Sequence, residues 1–139
     1  MLDTGINIEH TEFANGNIEW GITTPRNSED KDLNGSGFFG PFVYFFFSRS
    51  LNSLLFSNFQ RHGTHVASTV CGRNAGVAKK ATCIAVKVMK DSGLGTVFDI
   101  TGGLTWVAEA HKNGTNNKSV ANMSLGSPIP NPIIDARCV

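Results

Sequence analysis

No excess of charge of either sign marks this sequence: twelve Lys and Arg stand against eleven Asp and Glu, a net charge of +1. Such a balance gives no reason to expect nucleic acid or an anionic membrane as a partner. An apolar run long enough to span a bilayer is also missing. The most apolar stretch, around residues 38–59, is short and is broken by Pro41, Arg49 and Asn52. Cysteine is scarce. Cys71, Cys83 and Cys138 lack metal-type spacing and leave two options open, one disulfide with a spare thiol or none. Only Met1 and Leu2 precede Asp3, so no secretory leader is read from the sequence. The 139 residues have the size of one domain of ordinary composition.

What is present is an alternation of strands and helices. Met1 to Asp3 reads as the end of a strand, with Gly5 turning the chain out of the sheet. Residues 6–35 read as polar and turn-rich, with Asn15-Gly16 and Asn34-Gly35 as turn signals. Thr64 to Cys71 reads as a short buried helix closed by Gly72. Ile84 to Met89 is apolar and β-branched, hence a strand, and Ser92 to Gly95 is a loop. Thr96 opens a second helix, with Asp99 as its capping partner. Ile100, Leu104, Val107, Ala108 and His111 recur at helical spacing and predict the face laid on a core, and Asn113-Gly114 ends the helix. Val120 to Leu125 reads as a further strand. Strands alternating with helices imply an α/β fold with a parallel sheet and right-handed crossovers. Such sheets place their sites at the carboxyl ends of strands, where Asp3, the loop at 92–95 and Leu125-Gly126 all fall.

Two residues stand out for chemistry. A hydrolytic serine needs a histidine to take its proton and a buried carboxylate to fix the tautomer of that histidine. Asp3, ending a strand, and His62, opening a helix, suit those two roles. On spacing alone both also fit a plain turn and a structural histidine. His65 lies three residues after His62, whereas zincins place their histidines four apart around a glutamate, so a metal pair is not indicated. His10 is expected in a polar loop, and His111 near a helix C-terminus. Asn113-Gly114-Thr115, Asn117-Lys118-Ser119 and Asn122-Met123-Ser124 match the glycosylation pattern, the last within a predicted strand that argues against its use.

The runs Asp3-Thr4-Gly5-Ile6, His10-Thr11-Glu12-Phe13, Asn34-Gly35 and His62-Gly63-Thr64-His65-Val66-Ala67 resemble the subtilisin-like serine proteases. Gly76-Val77-Ala78-Lys79-Lys80 followed by Val86-Lys87-Val88 is similar to the fungal proteinase K-like branch. The resemblance covers about residues 2–35 and 62–126 and implies a three-layer subtilisin-like α/β fold, here incomplete. It implies Asp3 as the charge-relay aspartate and His62 as the general base. Ser124, Leu125 and Gly126 would then be the strand that pairs with substrate backbone, and Gly93, Leu94 and Gly95 the opposite wall of the cleft. The implied partner is a peptide or protein substrate, bound by a monomer that is extracellular or vacuolar. No cofactor is implied for catalysis. Calcium is found in intact relatives at positions that this sequence does not assign.

The sequence departs from that pattern in two places. The family triad runs Asp, His, Ser along the chain, and its serine follows Gly-Thr. Here the Gly-Thr pairs continue into His65, Val97 and Asn116. Neither a nucleophilic serine nor the oxyanion asparagine is assignable, and Ser124 does not fill the gap. The handicap is severe: in subtilisin, loss of the serine alone costs about six orders of magnitude in turnover. The 139-residue chain is therefore expected to be inactive as a protease.

The second departure is an aromatic block. Eight of the ten phenylalanines lie between residues 38 and 59. Removing residues 36–61 rejoins Asn34-Gly35 to His62 and shortens the Asp3–His62 separation from 59 to 33. Thymine-rich codons encode phenylalanine, and Phe59-Gln60-Arg61 is compatible with a pyrimidine tract ending in AG. The block reads as an in-frame retained intron, with a lineage-specific loop as the alternative, interrupting a partial protease domain at 1–126 that is followed by an unrelated tail at 127–139. Genomic DNA without a usable splice pair at its ends would remove that reading. The block would put a large apolar patch beside His62; separately, with only two residues of strand before it, Asp3 is expected to fray.

Overall fold

A computed structural model of the chain describes residues 1–30, 61–114, 118–126 and 131–136. The Asn34-Gly35 turn, the aromatic block as far as residue 60, Asn117 and Cys138 lie outside the described residues.

Among the described residues the strands and α-helices follow one another as β1 (Leu2–Asp3), β2 (Ile18–Thr23), α1 (His62–Cys71), β3 (Cys83–Lys87), α2 (Val97–Asn113) and α3 (Pro132–Asp135), with a 3-10 helix at Thr11–Phe13 between β1 and β2. The strands form one parallel sheet in the order β1-β3-β2. Leu2 and Asp3 are in register with Val86 and Lys87, and Ile18 with Cys83. The fold is α/β with a parallel sheet, as the alternation of elements predicts.

The sheet lies between two helices because β3 alternates. Cys83 and Ala85 point to one face, where they join Ile6, Phe13, Ala67 and Cys71 under α1. Val86 and Val88 point to the other, with Leu2, and receive Ile100, Leu104 and Val107 of α2. A strand buried on both faces is the expected centre of a parallel sheet. Thr96 caps α2: its hydroxyl accepts from the Asp99 N–H at 3.2 Å, and the Asp99 carboxylate accepts from the Thr96 N–H at 3.0 Å. That is a complete capping box.

Four expectations need correction. First, residues 6–35 are not turns throughout, since they contain β2 (Ile18–Thr23). The register shifts between Trp20 and Ile22, so Ile18 and Trp20 pack on the α1 side and Ile22 on the α2 side. A slip of one residue exchanges faces, and Gly21 at the irregularity hides the alternation.

Second, residues 120–125 form no regular strand. Their link to the sheet is the Leu2 N–H donating to the Asn122 carbonyl at 3.0 Å, because β1 is too short to offer a full ladder. Third, Ala108 and His111 are exposed, while Trp106 packs against the core instead. Fourth, Asp3 is not frayed. It is fully buried, and its carbonyl accepts from the N–H groups of Val88 at 2.9 Å and Met89 at 3.2 Å.

The cysteine pairing left open by spacing is settled for two of the three: Cys71 at the end of α1 and Cys83 at the start of β3 form a disulfide.

Candidate active site

The site starts at the carboxyl end of β1. Asp3 ends that strand beside Lys87, the last residue of β3. Gly5, with φ 103°, turns the chain away. The Thr4 N–H donates to Asp3 Oδ1 at 2.7 Å, which orients the carboxylate. His62 opens α1, two residues earlier than the apolar pattern places the helix start. Its Nδ1 lies 2.8 Å from Asp3 Oδ1 and 2.9 Å from Oδ2.

The exposure of the two side chains is unequal, 28% for His62 and 1% for Asp3. A buried carboxylate thus holds an imidazole whose ring reaches solvent. With Nδ1–H given to the carboxylate, Nε2 is the basic nitrogen, and any cation formed on the ring is stabilised by Asp3. That pairing can serve proton transfer at an exposed position.

Three further contacts fix α1 against β1. The Gly63 N–H donates to Thr4 Oγ1 at 3.1 Å, and the Asn7 N–H to Thr64 Oγ1 at 2.9 Å. Gly63 also has no room for a side chain, since a Cβ there would stand 2.0 Å from the Gly5 carbonyl oxygen and 3.1 Å from Asp3 Cβ. The helix N-terminus can lie against the Asp3 turn because this residue is glycine. Arg61 occupies the N-cap and makes no side-chain capping bond.

The loop carrying Gly93 to Gly95 leaves the carboxyl end of β3, and residues 124–126 follow the contact of Asn122 with Leu2 of β1. The loop after β3 is closed by the Lys90 N–H donating to the Leu94 carbonyl, and the Gly93 N–H to the Lys90 carbonyl, both at 2.8 Å. Gly93 takes φ 78°, a left-handed value that favours glycine. Leu94 is largely exposed, and Gly95 lies close to the Val88 carbonyl. On the side of β1, Leu125 packs on the core with Met123, while Ser124 and Gly126 are exposed. The Ser124 hydroxyl lies 3.0 Å from Asn122 Oδ1. Asp3 and His62 are thus joined directly, whereas the two candidate binding segments reach Asp3 through the ends of β3 and β1.

The remaining histidines are placed differently. His65 is exposed on α1. His10 Nδ1 accepts from the Glu12 N–H at 3.2 Å and caps a 3-10 turn at Thr11–Phe13. Among the described residues, no three His, Cys, Asp or Glu side chains are grouped so as to hold a metal ion. Also among them, no helix is long and apolar enough to cross a membrane.

Glu12 secures the segment after α1. Its carboxylate accepts from Asn74 Nδ2 at 2.7 Å, the Asn74 N–H at 3.0 Å and the Ala75 N–H at 3.1 Å. The Asn74 side chain first, then the Ala75 and Asn74 amides, hold this carboxyl below its ordinary range. Its stabilising effect is complete above the ordinary carboxylate pKa and is lost as the pH falls through the lowered one. Glu12→Gln is therefore expected to lower the melting temperature at pH 7. The gap to the unmodified chain should close on acidification, and a gap that widens in acid would contradict this assignment.

Together these features define an α/β protein with an aspartate-held imidazole at the carboxyl ends of parallel strands. The chain belongs to the subtilase family, whose model (Peptidase_S8) matches residues 1–137. It is 40% identical over 136 residues to subtilisin-like protease 8 of Arthroderma otae, covering 91% of this chain and 22% of that protein. Alkaline protease 2 of Aspergillus fumigatus is 38% identical over 135 residues, with 90% and 22% covered. The subtilisin-like serine protease pepC of Aspergillus niger is 38% identical over 145 residues, with 97% and 22% covered. The chain spans about a fifth of the length of the curated relatives it matches.

Proposed function

We propose that this chain carries the acid–base half of a subtilisin-like serine endopeptidase. His62 is the general base and Asp3 its orienting carboxylate. Ser124, Leu125 and Gly126 line one wall of a cleft for an extended peptide, with Gly93, Leu94 and Gly95 opposite. The observation that carries this reading is the contact of a buried Asp3 with the solvent-reaching Nδ1-bound ring of His62. The names of the relatives, each a protease, support it.

In the complete reaction a serine hydroxyl attacks the peptide carbonyl, His62 Nε2 takes the hydroxyl proton and passes it to the leaving amine, and Asp3 stabilises the imidazolium between. The nucleophile and an oxyanion donor have no counterpart in the 139 residues, so this chain by itself does not turn over peptides. The block at 36–61 is an insertion into the domain. A buried disulfide suits an oxidising compartment, in keeping with an extracellular or vacuolar setting.

A second reading is a non-catalytic fragment that binds extended peptides by strand addition along Ser124 to Gly126, favoured by the exposure of Ser124 and Gly126. One experiment covers both. The purified chain is incubated with a fluorophosphonate probe and a fluorogenic peptide. No label and no turnover are expected. Labelling of a serine together with turnover that vanishes in His62→Ala would overturn the assignment of inactivity.

A further inference from the structure

The pair as described leaves Lys87 unexplained. Its side chain is fully buried, a place where an ammonium is found only when it is paired. Nζ donates to the Thr4 main-chain carbonyl and to Asp91 Oδ1, the latter at 2.6 Å. Lys87 is the register partner of Asp3 in the parallel ladder.

The alternation of β3 gives the direction of the side chain. Cys83 and Ala85 face α1, so Lys87 faces α1 as well. Asp3 faces the same side, since its carboxylate meets His62. The two side chains therefore leave the same face of the sheet from paired register positions, with Nζ bound to Thr4 and Asp91 rather than to Asp3 itself. It grips the residue whose N–H orients Asp3 and whose hydroxyl accepts from Gly63. Through Asp91 it also grips the loop that carries Gly93 to Gly95.

We propose that Lys87 is a positioning residue for the Asp3–His62 pair, with Asp91 balancing its charge. This rests on the reading of that pair as the proton-transfer half of the site. An apolar residue of equal volume would fill the space without the cost of burying a charge. What distinguishes an electrostatic role from a filling one is the sign of its effect on His62.

Lys87→Met removes a positive charge and leaves two carboxylates, which favours protonated His62. Asp91→Asn unbalances the ammonium, which disfavours it. The other titratable groups on the packed elements, the Met1 amino group that faces Asp3, Arg61, His65, His10, Glu12 and Lys90, are unchanged in both variants.

The test is an NMR pH titration of the His62 ring in the full 139-residue chain, its signals assigned by their loss in His62→Ala. The midpoint is expected to rise by about half a pH unit in Lys87→Met and to fall by a similar amount in Asp91→Asn. Shifts of the same sign, or no shift in Asp91→Asn, overturn the proposal. Asp91 is partly exposed, with 33% of its side chain in solvent, and asparagine keeps an oxygen able to accept from Nζ, so where Lys87→Met does not fold the sign in Asp91→Asn decides. Asp3→Asn separates the two readings. If it leaves the midpoint unmoved, the Asp3–His62 pair itself fails, and this proposal with it. If it lowers the midpoint while the opposite shifts are missing, the role of Lys87 alone fails.

Discussion

Gly63→Ala is expected to destabilise the chain by about 2 kcal/mol or more, the range for forcing extra atoms into a packed region. Local propensity argues the other way. In an exposed helix interior, replacing glycine by alanine gains about 1 kcal/mol. The contact decides, because the new Cβ would lie 2.0 Å from the Gly5 carbonyl oxygen and 3.2 Å from Asp3 Oδ1. Relief requires the N-terminus of α1 to back away from β1. Such a movement strains the bond from Gly63 N–H to Thr4 Oγ1 and pulls His62 from Asp3. Urea unfolding measures the first effect. The downfield proton resonance of a histidine N–H held by a carboxylate, lost in the variant, measures the second. An alanine variant more stable than the parent would show that α1 does not approach the Asp3 turn this closely.

Replacing both Cys71 and Cys83 by alanine is expected to cost about 3 kcal/mol, the scale for a bridge closing a loop of roughly a dozen residues. The sequence separation is 12, and both residues are buried in the cluster beneath α1. Alanine rather than serine is the better choice, because a hydroxyl at either position adds its own desolvation cost. The comparison is the urea midpoint of the double variant against the parent, each with and without reductant. Reductant should move the parent toward the variant and leave the variant unchanged. Equal midpoints for parent and variant without reductant would mean that the bridge contributes nothing to stability.

Much of the site was legible because its two central residues sit in short motifs at element ends. Asp3-Thr4-Gly5 and His62-Gly63-Thr64-His65 each combine a member of the hydrogen-bonded pair with the small or hydroxyl residues that let α1 lie against β1. Thr96 and Asp99 announced their helix start for an equally local reason. What failed was longer in range. The strand at Ile18–Thr23 was concealed by its own irregularity at Gly21. The predicted strand at 120–125 depends on a neighbour only two residues long.

Helical spacing put Ala108 and His111 on the inner face, yet both remain in solvent. Lys87 is part of the Val86-Lys87-Val88 resemblance, but its burial is hidden by the apolar run around it. The alternation Cys83, Ala85, Lys87 was visible, and it marks a cation directed into a buried face. The partner of Cys71 could not be read from spacing, since the bridge depends on α1 and β3 lying side by side.

The two tryptophans of the chain fall on opposite sides of the sheet, Trp20 beneath α1 and Trp106 beneath α2. Each layer therefore contains its own fluorophore. With either indole replaced by phenylalanine, the emission of the other reports on the half of the molecule that holds His62 or on the half that does not. Loosening of the layer that holds His62 and loss of the whole fold are then optically separable events.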